Sequence, residues 1–415
     1  MHARQRARNV ILCGLLAAVA CRPAAPALGA ASTVAAAHAD FPTIAVDATG
    51  AAYVAWAQRA PDNTLDVMLA RAERGGGFGA PVRVNDRPGD LRASKEEPPQ
   101  VAVGPGGEVY VAWVGDTSRG RAARTDVGIR VARSLDHGAT FSPSVAVGEG
   151  SRAHRLVEQF HDLAVGPDGA LYISWLDLHA YAEWAAAKDS ARAHGDSVAS
   201  RLGPEPEYAL FWVARSADRG ATFAPPALLD TTTCICCRTA VAAGPDSAAH
   251  ALWRHVFAGN VRDFVSARAP GGTVAFAAPS RVHDDHWVID GCPDIGPGIA
   301  IDAHGIVHVA WYTGRQSGPG LYYASSSDRG ATFAAPLRLT GGRVPAEVKL
   351  ASLGDETWLV WEDKRSERTR VRVARAGEPD GVAVAVGALP AIAAGGGTLA
   401  VAWTKDGAVQ VSRTP

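Results

Sequence analysis

The chain has 415 residues, 41 Lys and Arg against 42 Asp and Glu, and a formal net charge of −1. That balance gives no electrostatic case for nucleic acid, whose phosphates demand a basic surface. The 44 Gly and 26 Pro, with few helix-periodic stretches, suit many short strands joined by turns, and the length allows a large core.

Residues 1–31 read as an export signal rather than as part of the fold. Arg4, Arg6 and Arg8 form a basic start, and Val10–Ala20 is an apolar run too short to span a bilayer. Two processing sites compete. Ala18-Val19-Ala20-Cys21 loosely matches a lipoprotein box with Cys21 as the lipidated residue, and the small residues Ala27–Ala31 suit a signal peptidase. The expected location is therefore the periplasm, the outer surface as a lipoprotein, or the medium. No later run is long and apolar enough for a membrane helix, so a lipid anchor would be the only membrane contact.

Residues 32–415 read as one repeat-built domain. Seven times a turn leads into a short apolar run ending in Trp, at Trp56, Trp113, Trp175, Trp253, Trp311, Trp361 and Trp403. Upstream of each lies another strand-like run, such as PTIAVD or PGIAID; downstream come a third and a fourth. Four strands repeated seven times predict an all-β propeller of seven four-stranded blades, with six as the alternative. The last repeat lacks a fourth strand before Pro415, and Ser32–Ala37 is expected to supply it. The Trp residues are read as packing between blades. Between Trp175 and Phe211, Ala182–Ala193 has helical character and reads as a lid or as a surface helix.

A second phrase recurs three times. Ser134–Phe141, Ser216–Phe223 and Ser326–Phe333 all fit S-x-D-x-G-x-x-F, with Asp136, Asp218 and Asp328 at the third position and Gly138, Gly220 and Gly330 at the fifth. Arg71–Phe78 is a decayed copy that keeps Gly75 and Phe78. Asp can accept from backbone N–H groups inside a tight turn, Gly can take positive φ, and Phe141, Phe223 and Phe333 can fold back as apolar plugs. The phrase resembles the Asp-box, or BNR repeat, of the sialidase superfamily of β-propellers, and it marks a fold rather than an activity.

That resemblance implies a map. First strands line a central channel, loops entering them and loops after the second strands share one face, and the Asp-box turns lie on the other. On the first face it gathers Asp116, Asp177, His161, Arg254, His255, Arg262, Asp263 and Glu362. It also places there the most distinctive motif, Cys234-Ile235-Cys236-Cys237-Arg238, answered by Gly291-Cys292-Pro293. Neighbouring blades would bring Cys234, Cys236, Cys237 and Cys292 to one corner of the mouth.

Three readings of the cysteines stay open. In an exported chain, clustered cysteines most often form disulfides, here Cys292 to one of the CxCC group and a second bridge within it. Thiolates also suit copper(I) or zinc, with His161, His255 or His286 as further ligands. A redox-active thiol pair is the third, with Arg238 favouring a thiolate. Arg254, His255, Arg262 and Asp263 beside them would recognise an anion or carboxylate, or form a salt-bridged loop. The phrases CICCRTAVAAGPD, WRHVFAGNVRDF and WVIDGCPDIGPGIAID are similar to a group of exported bacterial propellers, which implies no activity.

The enzymes of the superfamily clamp a carboxylate with three arginines, the first in a Phe/Tyr-Arg-Ile-Pro phrase. Here the matching place reads Ala39-Asp40-Phe41-Pro42, so Asp40 replaces that Arg and would repel an acidic sugar. For hydrolysis, Asp116 or Asp177 would be the acid and Glu362 would activate Tyr312, the nucleophile. The leading expectation is a monomeric ligand- or metal-binding propeller for a small molecule, glycan or protein. A sialidase-type glycosidase with altered residues and a disulfide-stapled interaction scaffold are the alternatives.

Overall fold

The computed structural model describes residues 26–116, 127–148, 156–194, 202–342 and 347–415. Cys21 and the rest of the expected export signal up to residue 25 lie outside them. The described chain is nearly all β-structure with one helix. Among the described residues no helix is long and apolar enough to cross a membrane.

Four sheets have four strands each, one has five and one has eight, all paired antiparallel. The Trp-ending runs become second strands such as Ala52–Arg59 and Val109–Asp116, buried along almost their whole length. Their apolar pattern is continuous rather than alternating because both faces are covered by neighbouring sheets. All seven repeat tryptophans are at most 4 % exposed, which bears out the packing reading.

The first strands sit side by side. Ala39–Val46 packs against Gln100–Val103, which packs against Glu158–Val165; Ala240–Ala243, Gly298–Ile301, Val348–Leu353 and Ala388–Gly395 follow, and the last packs back against Ala39–Val46. They surround a cavity of about 180 Å³ to which every one of them contributes, including Thr43, Gln100, Asp162, Lys349 and Ile392. The final sheet is completed by Ser32–Ala35, whose Ser32 and Thr33 pair with Val411 and Gln410 of the last strand. The expected strand Ser32–Ala37 is thus present, two residues shorter.

The eight-stranded sheet differs from the expected separate quartets. A single pair, Thr233 with His255, joins the strand ending at Cys234 to the next repeat. The cysteine turn therefore straddles two repeats. The helix runs His179–Ala193, three residues longer at its start than predicted, because Asp177 accepts the His179 N–H at 2.9 Å and satisfies one free donor of the first turn. None of its residues is buried.

The three S-x-D-x-G-x-x-F phrases make one turn, each between a third and a fourth strand. The Ser hydroxyl donates to the Asp carboxylate at 2.6–2.7 Å and accepts the Gly N–H at 2.8–2.9 Å. Gly138, Gly220 and Gly330 have φ of 84°, 72° and 85°, as a residue without Cβ allows. The Thr before the Phe, which the sequence reading passed over, donates its hydroxyl to the same Asp. Phe141, Phe223 and Phe333 pack on the apolar clusters between sheets.

Candidate functional site: a cysteine cluster between two repeats

Cys234 ends the strand Ala227–Cys234, and the chain then turns, the Cys237 N–H reaching the Cys234 carbonyl at 3.4 Å. The turn converges three side chains. Cys234 Sγ lies 3.7 Å from Cys236 Sγ and 3.4 Å from Cys237 Sγ. These residues are 0, 8 and 1 % exposed, and Val256 closes the cluster from the next strand. Cys292 is exposed, yet with Asp294 it comes within ligand spacing of Cys236. All four are free thiols in this structure. Cys236 and Cys292, expected to meet, do meet.

Two arginines face the sulfurs because of strand alternation. In the hairpin Ala249–Phe257 and Val261–Ala269, Val256 opposes Arg262 and Arg254 opposes Phe264. Side chains two apart share a face, so Arg254, Val256, Arg262 and Phe264 point one way and His255 and Asp263 the other. Arg262 Nη1 donates to Cys234 Sγ at 3.4 Å, and its Nε donates to Asn260 Oδ1. Arg254, 1 % exposed, donates to the Arg262 and Tyr312 carbonyls and lies 4.0 Å from the centre of the Phe264 ring and 4.8 Å from that of Trp287. Neither guanidinium has a carboxylate partner among the described residues. Hydrogen bonding with the Cys236 and Cys237 sulfurs holds Cys234 far below the usual thiol range against its burial, and the two guanidiniums reinforce this.

The same alternation corrects one expectation. Arg262 and Asp263 form no pair; Asp263 instead accepts the His286 and Trp287 N–H groups at 3.1 and 3.3 Å. His255 does not reach the sulfurs either, since its Nδ1 is 2.7 Å from Asp230 Oδ2, which also accepts the Trp253 indole N–H. His161 is 1 % exposed, contacts the Ala112 carbonyl through Nε2 at 3.1 Å, and is pushed by burial down to about 4. His286 is exposed and pairs with Asp284. Among the described residues the groups at metal-ligand spacing contain no histidine, so the three proposed imidazole ligands are not brought in. Arg238 is buried and pairs with Glu347.

Each candidate hydrolytic residue has a neighbour of its own. Asp116 is bound by Arg92 at 2.6 Å, and Asp177 by His179 at the helix start. Glu362 is bound by Lys364 and the Leu389 N–H. Tyr312 is a buried strand residue edge-on to Trp287. Asp40 accepts the Phe41 N–H and the Thr404 hydroxyl.

Beside the cluster lies a recess of about 720 Å³ lined by Cys292, His286, Trp287, Tyr312 and Arg315 among others. Lys349 on the axial cavity escaped the sequence reading. Burial lowers its ammonium to about 7, with Arg238 adding to the effect. No local motif marks it.

No family model matches the chain, and no curated protein matches it in sequence. Solved structures do match in shape. The BP39L lectin from Burkholderia pseudomallei aligns over 91 % of this chain and 96 % of its own, at 12 % identity and a TM-score of 0.59. A polysaccharide lyase of the PL25 ulvan lyase family covers 91 % and 94 % at 11 % identity and a TM-score of 0.53. The Hadza microbial sialidase Hz136 covers 85 % and 73 % at 10 % identity and a TM-score of 0.50. Such likeness without sequence identity shows the fold alone, and that fold is the sialidase-like β-propeller.

Proposed function

We propose that this chain is a closed seven-bladed propeller that binds a thiophilic metal ion, zinc(II) or copper(I), through Cys234, Cys236 and Cys237 at one corner of its channel mouth. The observation that carries the reading is the convergence of three buried sulfurs at 3.4 and 3.7 Å. A Zn–S bond of about 2.3 Å implies sulfur separations of about 3.8 Å around a tetrahedral ion, and thiolates are the soft ligands such ions prefer.

Charge supports the same conclusion. Buried charges need compensation, and among the described residues no carboxylate pairs with Arg254 or Arg262 to provide it. Copper(I) with the three thiolates carries a double negative charge that two guanidiniums would match, and zinc(II) with the same three carries a single one. The seven-bladed reading is supported by the cyclic succession of first strands. Export through residues 1–31, with Cys21 as a lipid anchor, and a monomeric state complete the proposal.

The glycosidase alternative is less well supported. Asp40 sits where an arginine would be needed, and Asp116, Asp177 and Glu362 are each held by local partners. Elemental analysis of protein purified without added metal, paired with thiol titration, tests the reading. About one ion per chain is expected, and Cys237→Ser should remove most of it, since a structural thiolate site needs its full ligand set. Protein with neither metal nor reactive thiols before reduction would establish a disulfide staple instead.

A further inference from the structure

We infer that Cys292 and Asp294 form an entry port for the metal ion, with Cys236 as the ligand shared between an outer and an inner position. The inference rests on the metal reading above and adds a route. Cys236 belongs to two ligand-spaced sets, one with Cys234 and Cys237 and one with Cys292 and Asp294, and within each set the ligand atoms lie within 4.8 Å of one another. The inner set is sealed: its members are at most 8 % exposed. In the outer set, Cys292 and Asp294 are both exposed.

A metal ion reaches a protein already bound to something, and that donor must touch a protein ligand before it lets go. Cys234 and Cys237 cannot meet a donor, because protein surrounds them. Cys292 can. It lines the recess of about 720 Å³, which has room for a small chelate or a thiol-bound ion beside it. Asp294, two residues on, brings its carboxylate within 4.8 Å of the Cys236 and Cys292 sulfurs.

The passage is a ligand exchange. The ion keeps its oxidation state and its bond to Cys236 Sγ throughout. Its bonds to Cys292 Sγ and the Asp294 carboxylate break as bonds to Cys234 Sγ and Cys237 Sγ form. Any proton still on an inner sulfur leaves as that sulfur binds, and the freed Cys292 thiolate takes one up.

The test delivers zinc(II) to the reduced full-length protein as its complex with 4-(2-pyridylazo)resorcinol and follows loss of the chelate colour in a stopped-flow instrument. Cys292→Ser/Asp294→Asn should keep the final zinc content and affinity of the parent but load about tenfold more slowly or worse, as the loss of both outer contacts in the rate-limiting exchange implies. Asp294→Asn alone should show a smaller slowing in the same direction, and circular dichroism would verify the fold of both. An unchanged loading rate overturns the port. Loss of equilibrium binding in the double variant also overturns it, by making Cys292 a permanent ligand. Failure of the parent to take zinc overturns the metal reading itself.

Discussion

Glu97 shows how burial becomes a measurable property. It is 7 % exposed and accepts the Phe160 N–H at 3.3 Å, and burial lifts its carboxyl from 4.5 to about 7, with Glu96 adding repulsion. The unfolded chain ionises this group near its ordinary value and the folded chain only near 7. Between those pH values the folded form binds more protons, so the Glu97 contribution to stability falls as pH rises through the window. Glu97→Gln keeps the acceptor and removes the cost. Urea midpoints of parent and variant should agree near pH 4 and diverge up to pH 7, where the variant gains up to about 3 kcal/mol. A constant difference across that range would mean that Glu97 is ionised in the folded protein. The buried His161 titrates in an overlapping range with the opposite sign, which is why the comparison of variant with parent, and not the parent's own profile, isolates Glu97.

At the scale of an element, the repeated turn is the clearest case of sequence dictating geometry. Ser216 is 1 % exposed, and its hydroxyl is the acceptor for the buried Gly220 N–H at 2.9 Å. Ser216→Ala leaves that donor without a partner and takes the Asp218 carboxylate's link to the strand end with it. The expected cost is about 1–3 kcal/mol in urea unfolding; a change within experimental error would show that water replaces the hydroxyl freely. These turns and the Trp-ended strands could be read from sequence because each is a local pattern repeated at a fixed place, and the closing strand at Ser32–Ala35 because the last repeat falls one strand short. The contacts that define the site are of another kind. His255 is claimed by Asp230, and Arg238 by Glu347, across separations no periodicity encodes. The separation of Arg262 from Asp263 was legible in principle, since adjacent strand residues point to opposite faces. Loop membership hides it, and strand alternation shows it.

For the whole molecule, the two ends of the described chain carry a stabilising role out of proportion to their length. A blade-like sheet cannot cover its own faces, and each depends on neighbours on both sides. The sheet that contains the last strand, Ala408–Arg413, is finished by Ser32–Ala35, and just before it Gly29 donates its N–H to the Arg413 carbonyl at 2.8 Å. Val34 and Ala35 pack on the cluster containing Val409, Val411 and Trp56, so this strand also covers the junction between the last sheet and the first. Removing residues 26–37 takes away these hydrogen bonds together and leaves Ala408–Arg413 as an open edge. At about 1 kcal/mol per hydrogen bond, the loss should be roughly 3 kcal/mol or more, read as a lower urea midpoint. The bared edge should also pair with other copies, so light scattering should report species larger than the parent's at equal concentration. Truncated protein that unfolds at the parent's midpoint and stays the parent's size would show that the first and last sheets hold together through their faces alone, without the closing strand.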